Sequence, residues 1–140
     1  MAKDTLETLI RLAGSEVDEA RRGLQKVLAE EDRIRADIAA LEASIEAESD
    51  LIRRQPELSG SFGLFLARAK VRRGELDTML DDVLPRVEAA RDVLAEAFAN
   101  QKKYEIAKEN RESAASEEAR RREGIALDEI GLNAHRRRNE

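Results

Sequence analysis

The sequence predicts an all-α protein: a long two-helix antiparallel coiled-coil hairpin with an extended C-terminal helix. Three features carry that expectation: a seven-residue apolar beat in the first third, one strong turn signal, and a similar beat beyond the turn. Stepping alternately by four and three from Leu6 reaches Ile10, Ala13, Val17, Ala20, Leu24, Val27, Glu31, Ile34, Ile38, Leu41, Ile45, Glu48 and Ile52, and twelve of these fourteen positions are apolar. A period of 3.5 residues sustained over this length marks a coiled-coil seam. A helix lying on a globular core shows a broader stripe that drifts with the 3.6-residue period.

The first helix is expected over about residues 4–54. Its end is set by RRQPELSGSFG at residues 53–63, where Pro56 biases Gln55 away from helical dihedrals and serines beside Gly60 and Gly63 can cap a new helix. The turn therefore occupies 55–61. The second helix is expected from about 62 to 135, with seam positions Phe62, Leu66, Ala69, Arg73, Leu76, Leu80, Val83, Val87, Ala90, Leu94 and Ala97. One short loop between two seams of similar period describes an antiparallel hairpin, here a single coiled-coil domain over residues 1–140. Pro85 falls inside the second helix but opposite the seam, whose phase runs through it from Val83 to Val87. A kink in a continuous helix is expected there rather than a domain boundary.

Composition agrees with this architecture. Charged residues form 39% of the chain and aromatics 3%, with no Trp and no Cys, so a compact core with large anchors is not expected and no disulfide can form. The formal charge of -5, with both signs interleaved, argues against a nucleic-acid partner. No apolar run approaches the roughly 18–20 residues of a membrane span. The acids in MAKDTLETLIRLAG argue against a secretory leader.

The helices are unequal in length. Folding back at the turn sets Ile52 opposite Phe62 and Leu6 near residue 106, leaving a tail without a partner from about residue 107. Roughly 30 residues, about 45 Å at 1.5 Å per residue, then run alone. The seam positions turn polar as expected for such a tail: Gln101, Tyr104, Lys108, Arg111, Ala115, Glu118 and Arg122. Large aliphatics return at Ile125, Leu127, Ile130 and Leu132, between Arg120, Arg121 and Arg122 on one side and Arg136–Arg138 on the other. A frayed tail with scattered leucines and a docking segment both fit this pattern, and the density of aliphatics favours docking. Residues 101–140 carry ten Lys or Arg against nine acids, so the arginine triplets have a solvated helix face as their ordinary reading.

Groups suited to catalysis are sparse. His135 has no Cys or second His beside it, and no phosphate loop, nucleophile elbow or zinc signature is present. No enzymatic activity, cofactor, metal or small-molecule substrate is expected. Glu31 and Glu48 on the seam, and Arg73 within reach of Glu42, are expected to set register.

Three segments together resemble a known family. TLETLIRLAGSEVDEARRGL near the start, FGLFLARAKVRRGELDTML after the turn and the terminal LDEIGLNAHRRR look like the flagellar export protein FliJ and its virulence-secretion counterpart YscO. The resemblance implies a hairpin similar to the central stalk of rotary ATPases. It implies insertion into the pore of a hexameric export ATPase, coupling to the membrane export gate and contact with export chaperones. It also implies a cytoplasmic protein peripherally associated with the inner membrane at the flagellar base. The family's gate-binding surface would fall on Phe65, with further positions at Ala69, Arg72 and Leu76 that differ in residue type from the family's. The alternative from another class is a structural adaptor whose helices pair between two chains, since a swapped dimer buries the same seam.

Overall fold

The computed structural model describes residues 2–139, with side chains described from Thr5 onward. Helix α1 runs Ala2–Arg54, a short 3-10 turn spans Pro56–Ser61, and helix α2 runs Phe62–Asn139. No strand occurs among the described residues. Helix α2 continues through Pro85 without a break. Both helices extend slightly beyond their expected ends, and the C-terminal one takes in His135 to Asn139, where the His135 and Asn139 side chains approach to 3.3 Å.

The reversal is held by main-chain bonds. The Gln55 N–H donates to the Leu51 carbonyl at 2.9 Å and the Leu58 N–H to the Gln55 carbonyl at 3.0 Å. Pro56 opens the turn, where its missing N–H removes no helical bond. The Ser61 hydroxyl donates to the Leu58 carbonyl at 3.3 Å.

The contacts divide the chain into two compact units, residues 15–97 and residues 1–14 with 98–140. In residues 15–97 the two helices run antiparallel around the turn. The core follows the predicted seam: Val17 and Ile34 from α1, and Ala69, Leu76, Val83, Val87 and Ala97 from α2, are buried. Val83 is fully excluded from solvent and Leu76 is 1% exposed. Burying such side chains contributes about 1.5–3 kcal/mol each, which is why the seam rather than helix propensity holds the pair together.

Two cross-helix ion pairs set the register of this unit. The Arg73 Nη1 donates to Glu42 while its Nε donates to Asp77 at 3.0 Å. The Arg86 guanidinium clamps the Glu30 carboxylate with bonds of 3.0 and 2.6 Å. The Arg73–Glu42 link is the one the seam register anticipates. Glu31 does not reach across to α2 for its partner: Arg35 on the same helix donates to it at 2.9 Å.

Two details depart from expectation. Phe65 is half-buried where Leu66 was expected, and Leu66 is 38% exposed. The cause is aromatic stacking one helical turn apart, with the Phe62 and Phe65 rings 6.2 Å between centroids and 19° from parallel. In the unit of residues 1–14 and 98–140, Leu6 is buried at 8% exposure, and Leu6 and Glu7 line one cavity with Lys108, Arg111, Glu112 and Ala115. Pairing therefore continues past residue 106 to Ala115, about two turns further along α2 than the expected onset of the tail.

Candidate partner-binding surfaces

Helix α2 presents the expected contact residues in two groups with opposite environments. In the first group, Phe65 is half-buried against Phe62 and Arg72 is exposed, donating to Glu75 at 3.2 Å. Ala69 and Leu76 lie in the core at 5% and 1% exposure. Ala69 and Leu76 fall on the seam and brace the helix, whereas Phe65 is partly and Arg72 fully open to solvent. The seam beat itself contained this answer, since Ala69 and Leu76 are two of its members.

The second group is the tail. Ile125, Leu127, Ile130 and Leu132 are 54%, 63%, 64% and 59% exposed. Helical geometry turns about 100° per residue, so Ile125 and Leu132 share one face while Leu127 and Ile130 lie roughly 140–200° round from Ile125. The aliphatics thus occupy two opposite faces of one helix. An amphipathic helix fitting a single groove gathers them on one stripe.

Arginines near the tail differ in their freedom. Glu118 accepts from Arg121 at 2.9 Å and lies 3.4 Å from the Arg122 Nε. Arg120 forms no such pair and projects its charge into solvent. Arg121 and Arg122 thus share one carboxylate on the helix itself, and among the described residues Arg120 has no such partner.

Sequence reasoning missed the Arg86–Glu30 clamp. Both residues stand one position before a seam residue, Arg86 before Val87 and Glu30 before Glu31, and flanking positions of this kind are where interhelical ion pairs form. Hydrogen bonding from Arg86 holds the Glu30 carboxyl below its ordinary value, and Glu30 in turn raises the pKa of Arg86. Among the described residues, no group of three or more His, Asp or Glu is placed to hold a metal ion. No described helix is long and apolar enough to cross a membrane.

The fold and these surfaces define a class: an all-helical hairpin whose exposed chemistry is aliphatic side chains framed by arginines. The family model described as Flagellar FliJ protein matches residues 2–140. Two curated relatives, both named Flagellar FliJ protein, come from Caulobacter vibrioides strains NA1000 / CB15N and ATCC 19089 / CIP 103742 / CB 15. Each is 31% identical over 129 residues, covering 89% of this chain and 90% of the relative. No solved structure matches the chain. The chain belongs to the FliJ family and is thereby a component of the flagellar export apparatus.

Proposed function

We propose that this chain is a non-catalytic stalk and coupling subunit of the flagellar export machinery. Its tail enters the ring of a hexameric export ATPase, and the start of α2 engages the cytoplasmic domain of the export gate and the export chaperones. The protein is cytoplasmic and held peripherally at the inner membrane by these contacts. The observation that carries the reading is the two-faced tail. Four exposed aliphatics on opposite sides of one helix gain nothing in water and only part of their burial in a groove. A ring encloses a helix from all sides and covers both faces at once.

Deleting residues 120–140 tests this. The truncated chain is expected to melt within a few degrees of the intact one, because the deleted stretch contains no buried side chain among its described residues. Stimulation of the partner ATPase is expected to disappear. If the truncated chain stimulates as well as the intact one, the stalk reading fails and a structural adaptor becomes the better account.

A further inference from the structure

The hairpin end carries a charge opposite to that of the chain. Residues 49–73 hold six cations, Arg53, Arg54, Arg68, Lys70, Arg72 and Arg73, against two acids, Asp50 and Glu57; the α1 stretch level with Arg68–Arg73, fixed by the Arg73–Glu42 bond, adds Glu42, Glu46 and Glu48 and leaves this end at +1, while the whole chain is -5. Directly behind them on α2, residues 74–85 hold Glu75, Asp77, Asp81 and Asp82 and no cation. Arg72 and Arg73 are drawn back onto this acidic band by Glu75 and Asp77, and Arg53 bonds Asp50 at 3.0 Å. Among the described residues, Arg54, Arg68 and Lys70 have no carboxylate partner.

Apolar side chains surround the same end. Leu51, Leu58, Leu64 and Leu66 are 39%, 43%, 58% and 38% exposed, beside the half-buried Phe62 and Phe65. Leu64 and Leu66 lie about 160° apart round the helix. The leucines are thus splayed around the turn, with the free cations set among and just behind them on both helices.

We propose that the hairpin end binds directly to an anionic lipid bilayer surface, with Leu58 and Leu64 entering the interface and Arg54, Arg68 and Lys70 pairing with lipid phosphates. A protein pocket takes an anchor from one direction. A fluid interface accepts side chains splayed in several directions, and mobile headgroups come to each cation. The acidic band on α2 is repelled by the same surface and keeps the contact confined to the turn. This contact is separate from the gate-mediated association proposed above, since it requires neither the gate nor the ATPase.

The test uses the full-length chain and vesicles of phosphatidylcholine, alone or with about a third phosphatidylglycerol. Flotation is expected to recover the chain with the anionic vesicles and not with the neutral ones. The triple variant Arg54→Glu, Arg68→Glu, Lys70→Glu is expected to lower the partition coefficient by at least about a hundredfold. All three side chains are exposed, so helicity by circular dichroism should be unchanged. The chain has no tryptophan. Leu64→Trp therefore supplies a single reporter whose emission should shift to the blue on anionic vesicles, while Val93→Trp, at a distant exposed site, should not shift. Equal binding to both vesicle types, or no Leu64→Trp shift, overturns the proposal. So does a triple variant that floats normally but loses affinity for the gate's cytoplasmic domain, because the cations then serve an acidic protein. None of these outcomes bears on ATPase stimulation, so the stalk reading stands or falls separately.

Discussion

Two stretches of α2 contain similar aliphatic side chains and use them oppositely. Between Ala69 and Ala97, apolar residues recur at alternating steps of four and three, and Ala69, Leu76, Val83, Val87 and Ala97 are buried. Between Ile125 and Leu132 the steps are two, three and two, and all four aliphatics stand more than half exposed. Composition does not separate the stretches; phase does. A constant phase keeps every apolar group on the side where another helix waits, whereas a broken phase spreads them round the axis. The first stretch holds the hairpin, and the second leaves its apolar area exposed.

The sharpest way to break this contrast is to truncate one leucine from each stretch. Leu76→Ala is expected to cost about 2–4 kcal/mol, read from chemical denaturation, because the side chain is 1% exposed and its removal opens a cavity in the seam. Leu127→Ala, at 63% exposure, should stay within about 0.5 kcal/mol. Similar losses in the two variants would mean that phase does not govern burial here.

A smaller effect sharpens the role of the tail. Serine is placed at both Ile125 and Leu132 in one variant, and at both Leu127 and Ile130 in another. Enclosure by a ring predicts that each pair lowers ATPase stimulation by about tenfold, equivalent to roughly 1.4 kcal/mol of lost contact. If one pair is silent and the other severe, the partner offers a groove along one face, and the enclosure argument is wrong.

At the start of α2, Phe65→Ala should weaken binding to the gate's cytoplasmic domain with helicity retained. Because Phe65 stacks on Phe62, a modest fall in melting temperature is also expected, from the loss of about 0.5–1.5 kcal/mol of aromatic pairing in addition to buried area. Unchanged affinity would remove Phe65 from the contact surface and leave it a packing residue.

The smallest effect concerns acid. The Glu30 pKa is lowered in the folded chain, first by the hydrogen bond from Arg86, from an ordinary value of 4.5. A lowered folded pKa stabilises above the unfolded value, and that stabilisation is lost as pH falls through the folded value. Thermal melts should therefore show wild type slightly above Glu30→Gln at about neutral pH, with the gap closing as pH falls below about 4.5. A gap that persists in strong acid would mean that the clamp does not depend on the carboxylate charge.

Much of the hairpin was legible in advance because one seam dictates its burial. From Ala69 to Tyr104 every residue not exposed on α2 lies on the predicted beat: Ala69, Arg73, Leu76, Leu80, Val83, Val87, Ala90, Leu94, Ala97, Gln101 and Tyr104. The beat failed at the helix start, where two aromatics one turn apart chose each other over the regular position. It also gave no warning that Leu6 packs beyond residue 106, since Lys108, Arg111 and Glu112 line that cavity and are polar by composition. Long polar side chains cover apolar surface with their stems, and a pattern of residue classes cannot register this. The exposure of the tail was legible from its missing partner.

The turn has a consequence for how this sequence can change over generations. No described residue has a positive φ, so the reversal at 56–61 needs no left-handed backbone and neither Gly60 nor Gly63 is fixed there by dihedral necessity. A side-chain carbon added at either glycine meets nothing within 4 Å. Substitutions at Gly60 and Gly63 can therefore accumulate without loss of the fold. Natural selection at the hairpin end is left to follow what that end touches rather than what the reversal requires.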